Sequence, residues 1–128
     1  MGEVDDSLCG ALSGRTILVV EDEFLILMDL QLQLEDAGAV VIAASSVSDG
    51  VARAERTSCD AAVLDVRLPD GEVFPVAAVL QDRAIPFLFH SGHAQREDVI
   101  DRFPDAPTLA KPVAEPVLLR AVERLLDA

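Results

Sequence analysis

Four short apolar runs in this sequence each end at side chains that carry chemistry. Glu21 and Asp22 follow T-I-L-V-V, Asp65 ends A-A-V-L-D, Ser91 follows P-F-L-F-H, and Lys111 follows P-T-L-A. If the three carboxylates came together, two of them about 4 Å apart would repel by roughly 4 kcal/mol at a moderate effective dielectric. A cation between them would offset that repulsion. Because all the ligands would be oxygens, Mg²⁺ is the expected ion.

The same side chains are suited to phosphoryl transfer. A carboxylate that attacks phosphorus forms an aspartyl phosphate, and the protein then mainly positions groups and neutralises charge on the equatorial oxygens. We assign Asp65 as the nucleophile, Asp22 as a direct metal ligand and Glu21 as a ligand acting through water. Lys111 and Ser91 would hold the phosphoryl oxygens.

Each of these residues also has an ordinary structural explanation. An aspartate after a strand is commonly a turn or cap residue, and an acidic pair such as Glu21–Asp22 suits the start of a helix. The functional hypothesis depends on the coincidence that the acid pair, the acid, the hydroxyl and the lysine follow four separate apolar runs in that order. His90 and His93 have the spacing of a strand-edge pair, but no third ligand accompanies them, so a zinc site is not expected.

The elements that would position these groups alternate along the chain. Apolar runs predict strands over 16–20, 39–44, 60–65, 86–90 and 107–110. Helices are predicted over 23–37, 46–54, 75–81 and 95–103, and a last helix carries an apolar face at Leu118, Val122 and Leu125. Residues 23–37 also alternate like a strand, but their length and few β-branched residues favour a helix that ends at Gly38. The helix over 95–103 has few apolar anchors, namely Val99, Ile100 and Phe103.

This order predicts an α/β fold. Strands that are apolar throughout are typical of a parallel sheet covered on both faces. Five strand–helix units with right-handed crossovers favour a doubly wound, flavodoxin-like (βα)5 sheet of order 2-1-3-4-5. In that order the first and third strands are neighbours, so Glu21, Asp22 and Asp65 would share one edge of the sheet.

Composition limits the other possibilities. The chain has 128 residues, which is enough for one domain, and a net charge of -13, which argues against a nucleic-acid partner. No apolar run is long enough to span a membrane, and the N-terminus lacks the pattern of a secretion signal. We therefore expect a cytoplasmic protein without membrane insertion. Residues 1–14 are predicted to form a flexible leader, and residues 15–128 the domain.

Taken together, V-V-E-D-E, V-L-D-V-R-L-P-D-G, F-H-S-G-H and A-K-P-V resemble the receiver domain of two-component response regulators. The resemblance covers about residues 15–128. It implies that Asp65 is the phosphoacceptor, that Glu21 and Asp22 are the acidic pair, and that Arg67 gives its backbone carbonyl to Mg²⁺. Ser91 and Lys111 match the switch hydroxyl and the lysine of the family.

A narrower resemblance is to the single-domain receivers with a Phe-Ala-Thr-Gly motif, described mainly in alphaproteobacteria. It rests on F-P-V-A followed by I-P-F-L-F-H-S-G. Here His90 replaces the Ala and Ser91 replaces the Thr. Many receivers also carry an aromatic residue three positions before the lysine, where this chain has Thr108, so relay of the switch through that aromatic is not expected. Arg67 and His93 are predicted to tune the lifetime of the acyl phosphate.

The resemblance implies a stand-alone response regulator without an output domain. It would accept a phosphoryl group from a sensor histidine kinase or a histidine phosphotransfer protein, and act as a switch or a phosphate sink. We expect a monomer or weak homodimer with no turnover of an external substrate. One alternative is a phosphatase of the haloacid-dehalogenase type, but Arg67 stands where such enzymes need a second acid. The other is a degenerate receiver used only for protein binding, and the full set of site residues argues against it.

Overall fold

A computed structural model describes residues 10–92 and 96–127. The strands are β1 (Thr16–Val20), β2 (Val40–Ala44), β3 (Ala61–Asp65), β4 (Arg67–Leu68), β5 (Gly71–Glu72), β6 (Phe87–Ser91) and β7 (Thr108–Ala110). The helices in the described residues are α1 (Phe24–Asp36), α2 (Val47–Arg56), α3 (Phe74–Asp82), α4 (Arg96–Arg102) and α5 (Glu115–Asp127).

Five parallel strands form the main sheet in the order β2-β1-β3-β6-β7. Leaving aside the two short strands β4 and β5, this is the predicted order 2-1-3-4-5, and the flavodoxin-like fold is confirmed. β1 lies between β2 and β3, and the register pairs Val20 with Leu64. The residues that follow β1 and end β3 therefore reach the same edge of the sheet.

Both faces of the sheet are buried, which explains why its strands are almost wholly apolar. Alternate residues of β3 and β6 point to opposite sides. Leu64 and Phe89 belong to a core cluster with α2 and α3, whereas Val63 and Leu88 belong to a cluster with α1 and α5. The two clusters fix the strands between two layers of helices.

The segment after β1 is the predicted helix rather than a strand. Leu30 and Leu34 face the core, and α1 ends at Asp36. Gly38 then has a φ of 99°, and an added Cβ would lie 2.9 Å from the Cα of Ser13. Only glycine fits this left-handed position and close approach, which confirms Gly38 as the predicted stop.

Three features differ from or extend the sequence-based predictions. β4 and β5 form an antiparallel hairpin that was not predicted. Residues 10–14, placed in the leader by the prediction, form turns in which Leu12 is buried and its N–H donates to the carbonyl of Ala37 at 2.9 Å. Ile100 was predicted to anchor α4, but it is 50% exposed, and the helix is held instead by buried Val99 and partly buried Phe103.

None of the helices in residues 10–92 and 96–127 is long and apolar enough to cross a membrane.

Candidate functional site

Three carboxylates meet at the carboxyl edge of the sheet, as the sequence predicted. Glu21 and Asp22 follow β1, and Asp65 is the last residue of β3. One carboxylate oxygen from each of the three lies within 4.8 Å of the others. Glu21 and Asp65 are buried, while Asp22 is exposed to solvent. The cluster therefore has a closed side within the protein and an open side toward water.

Lys111 supplies positive charge to the buried side of this cluster. Its Nζ lies 2.9 Å from Oδ1 of Asp65 and 3.1 Å from Oε1 of Glu21. Burial disfavours the charged ammonium, but the hydrogen bonds and charges of Asp65 and Glu21 outweigh it and raise the pKa of Lys111. The lysine thus stays charged, and one cation faces three carboxylates.

The second buried acid, Glu21, is held in an unfavourable environment for a carboxylate. Burial is the main reason that its pKa rises from 4.5 to about 7, and the charge of Asp65 adds to the effect. The backbone N–H of Glu23, which donates to Oε2 at 3.1 Å, and the Lys111 ammonium oppose it. At neutral pH Glu21 is therefore close to the point where it takes up a proton.

Ser91 and Lys111 end neighbouring strands. Ser91 is buried at the end of β6, and the N–H of Lys111 donates to its carbonyl at 3.0 Å. β6 is also the neighbour of β3, with His90 opposite Asp65. Ser91 and Lys111 therefore stand at the carboxyl ends of the two strands next along the sheet from the acidic cluster.

The donor set fits a hard divalent cation. Its ligands are carboxylate oxygens, and the solvent-facing position of Asp22 leaves room for the water molecules that Mg²⁺ retains. The charge balance also fits, because the cluster has three acidic side chains and Lys111 contacts only two of them. Glu21, Asp22 and Asp65 are the side chains that would hold Mg²⁺.

Arg67, the predicted carbonyl ligand, is the first residue of β4 and lies two positions after Asp65. The N–H of Val73 donates to the carbonyl of Val66 at 2.9 Å, and the next pair along the hairpin is Arg67 with Glu72. In an antiparallel ladder such a pair is not itself hydrogen-bonded, so its N–H and C=O groups point away from the partner strand. The carbonyl of Arg67 is therefore not used in the hairpin ladder.

Thr108 is the remaining predicted residue within the described part of the chain. Thr108 is half-buried at the start of β7 and pairs with Phe89. His93 lies outside the described residues. The roles of Arg67, His93 and Thr108 in tuning the site stay predictions.

Sequence reasoning missed the environment of His90. It is 2% exposed, and neither ring nitrogen has a hydrogen-bond partner within the described chain. Burial, followed by the positive charge of Lys111, lowers its pKa to about 4, so the imidazole is neutral. The sequence did carry a signal of this burial, namely the strand period of two in F-L-F-H. Because Leu88 faces the α1 side of the sheet, His90, two residues later, must face the same side. The ring lines a cavity of about 370 Å³ that also contacts Leu25 of α1.

Asp70 makes a second contact that the sequence did not predict. Its carboxylate accepts hydrogen bonds from the N–H groups of Val47 and Ser48 at the start of α2. Contacts of this kind join residues more than 20 positions apart, and no local pattern in the sequence signals them.

Comparison with known sequences identifies the family of this chain. The sequence model of the response regulator receiver domain matches residues 17–123. The transcriptional regulatory protein PdtaR of Mycobacterium tuberculosis is 31% identical over 114 residues, which cover 85% of this chain and 55% of PdtaR. The photosynthetic apparatus regulatory protein RegA of Cereibacter sphaeroides is 38% identical over 69 residues, which cover 54% of this chain and 38% of RegA. The chain spans about half the length of PdtaR, and less of RegA.

Solved structures give the same result. A response regulator receiver protein from Sinorhizobium medicae is 34% identical with a TM-score of 0.82, covering 89% of this chain and 95% of that one. The receiver domain of a sensor histidine kinase from Pseudomonas aeruginosa, solved with a magnesium ion coordinated in its active site cleft, is 25% identical with a TM-score of 0.82. That similarity covers 91% of this chain and 100% of the other. The chain belongs to the response regulator receiver domain family of two-component systems.

Proposed function

We propose that this chain is a Mg²⁺-dependent phosphoryl acceptor in a two-component phosphorelay, with Asp65 as the residue that is phosphorylated. The observation that carries the proposal is the meeting of Asp65 with Glu21, Asp22 and Lys111 at one sheet edge. A buried aspartate beside two further acids and a lysine has the groups that phosphoryl transfer to a carboxylate requires.

In the proposed reaction a carboxylate oxygen of Asp65 attacks the phosphorus of a phosphohistidine on the donor protein. The O–P bond forms, the N–P bond breaks, and the donor imidazole leaves and takes up a proton from water. Glu21, Asp22 and Asp65 would hold Mg²⁺, which would supply positive charge that screens these carboxylates from the incoming phosphoryl oxygens. Lys111, already 2.9 Å from Asp65, neutralises charge on the transferred group, and the hydroxyl of Ser91 donates to it.

The donor that fits is the phosphohistidine domain of a sensor kinase or a phosphotransfer protein. The first turn of α1 begins two residues after Asp22, and its side chains Phe24 and Leu25 are 69% and 78% exposed. Met28, one turn further, is also exposed. An apolar surface beside the acceptor site is suited to hold a partner protein while its histidine reaches Asp65.

We further propose that the chain works in the cytoplasm, where the transmitter domains of such kinases act. The phosphorylated form would serve as a switch or as a sink for phosphoryl groups. A monomeric or weakly dimeric state and the lack of turnover of an external substrate stay predictions.

The proposal is tested by incubating the full chain with acetyl phosphate and following its mass. With Mg²⁺ present, the wild-type chain is expected to gain one phosphoryl group, which chelation of the metal by EDTA prevents. Asp65→Asn should gain none, because the amide is a poor nucleophile. Asp60→Asn is a matched control, since Asp60 accepts the N–H of Thr16 far from the acidic cluster and should leave labelling intact. Equal labelling of wild type and Asp65→Asn would disprove the assignment.

A further inference from the structure

The β4–β5 hairpin, residues 67–72, lies outside the main sheet and is held at both ends. At its base the N–H of Val73 donates to the carbonyl of Val66 at 2.9 Å. At its tip Asp70 accepts two hydrogen bonds from the start of α2. Its Oδ1 lies 2.8 Å from the N of Val47, and its Oδ2 lies 3.0 Å from the N of Ser48. Both carboxylate oxygens are used, so the side chain is held in one orientation.

Asp70 is not needed as a simple cap of α2, because the helix already has one. Ser46 is the N-cap residue, and its hydroxyl accepts the N–H of Asp49 at 3.0 Å. That bond is local to the helix, whereas the bonds of Asp70 join α2 to a hairpin 22 and 23 residues further along the chain. The two N–H groups also lower the pKa of the Asp70 carboxyl, so it is ionised at neutral pH and binds as an anion at the positive end of the helix.

The hairpin carries one group of the proposed site. Arg67 begins β4, two residues after Asp65, and its carbonyl points away from Glu72. Its neighbours Val66 and Leu68 are buried, whereas Arg67 itself and the turn that contains Asp70 are exposed. The hydrogen bonds from Asp70 to α2 are therefore a second restraint on the hairpin that carries the Arg67 carbonyl, in addition to the burial of Val66 and Leu68.

We propose that Asp70 is a positioning residue for the metal site: by binding the N–H groups of Val47 and Ser48 it fixes the hairpin, and with it the Arg67 carbonyl, against the carboxylates. This inference rests on the proposed function, because it assumes that the site binds Mg²⁺. It adds a connection from the site to α2 that the phosphoryl-transfer reaction itself does not require.

The connection must act in both directions. If the contact of Asp70 with α2 favours Mg²⁺ binding, Mg²⁺ binding must favour the contact by the same factor. The amide hydrogens of Val47 and Ser48 should then exchange more slowly when Mg²⁺ is added to the wild-type chain. A residue that only capped α2 would give no such response.

The test compares the full-length wild-type chain with Asp70→Ala and the matched control Ser46→Ala. Both variants remove a side-chain acceptor from the start of α2, but only the first releases the hairpin. Mg²⁺ affinity is measured by calorimetry and amide exchange by NMR, after circular dichroism has shown that each variant is folded. Asp70→Ala should weaken Mg²⁺ binding by about 5-fold or more and abolish the slowing at Val47 and Ser48, whereas Ser46→Ala should stay within about twofold of wild type.

Two results would overturn the inference, and they differ in what else they affect. If Asp70→Ala and Ser46→Ala both bind Mg²⁺ as wild type does, Asp70 is only a structural cap, and the phosphoacceptor role of Asp65 stands. If the wild-type chain binds no Mg²⁺, both the inference and the proposed function fail. Asp70→Asn, which keeps an acceptor oxygen without the charge, should give an intermediate affinity.

Discussion

Glu21→Gln should stabilise the metal-free protein above neutral pH. Glu21 is fully buried, and its pKa in the folded protein is about 7, against 4.5 for an ordinary glutamate. A raised pKa means that the folded state prefers the protonated acid. The contribution of Glu21 to the free energy of unfolding is therefore largest below about pH 4.5, and it is lost as the pH rises through about 7.

The size of the effect follows from the same two values. Each pKa unit corresponds to about 1.4 kcal/mol. The rise of the Glu21 pKa from 4.5 to about 7 therefore corresponds to roughly 3 kcal/mol. Glutamine has the same shape without the charge, so at about pH 8 the variant should have the larger free energy of unfolding, by up to that amount. At about pH 4 the two proteins should be nearly equal.

The measurement is urea unfolding at several pH values in EDTA. Circular dichroism is the suitable signal because the chain contains no Trp or Tyr. The contribution of His90 to stability depends on pH in the opposite direction. Its pKa is lowered from 6.5 to about 4, so this contribution is present above about pH 6.5 and is lost as the pH falls through about 4. Because His90 is in both proteins, its effect cancels in the difference between them.

A difference in unfolding free energy that does not change between about pH 5 and pH 8 would refute this reasoning. So would a variant that is the less stable protein at about pH 8. Adding Mg²⁺ gives a second check, because binding to the folded state should stabilise wild type more than a variant that lacks one of the three carboxylates.

Two further predictions concern packing and docking. Phe103→Ala should lower the free energy of unfolding by roughly 2 kcal/mol, because its partly exposed ring contacts three other phenylalanine rings at centroid distances of 5.6 to 5.9 Å. Ile100→Ala is the control, because Ile100 is half-exposed. In denaturant unfolding this variant should change the free energy of unfolding by less than about 0.5 kcal/mol. Phe24→Ser should slow phosphoryl transfer from a histidine kinase without changing labelling by acetyl phosphate, because the exposed ring would contact the partner protein in the proposed function and acetyl phosphate needs no such contact. Equal slowing with both phosphoryl donors would contradict the docking role.

The order of strands could be predicted because each one is a short run of apolar residues that ends at polar side chains. V-L-D and F-L-F-H-S carry that pattern within five residues, and the sheet order then follows from rules about crossovers. The bounds of β1 were also predictable, since T-I-L-V-V has no competing helical period. The end of α1 was predictable for a local reason as well, because the left-handed backbone at Gly38 favours glycine.

The sequence-based predictions were wrong where the outcome depends on a contact between residues far apart in the chain. Ile100 is as apolar as Val99, but only Val99 faces the core, since α4 is short and packs through one side. Leu12 sits in a polar, glycine-containing stretch that was read as a leader, yet its side chain fills space beneath α1. Neither outcome is visible in the residues themselves.

The sequence by itself determined which chemical groups this protein has and on which strand ends they stand, because strand period and chain order are local properties. Only the tertiary structure decided how those groups affect one another. Full burial of Glu21 beside Asp65 and Lys111 moves its pKa to about 7, and packing against α1 leaves His90 neutral. The link from Asp70 to α2 likewise depends on the folded chain, because such effects vary with distance and solvent exposure, which residue order does not encode.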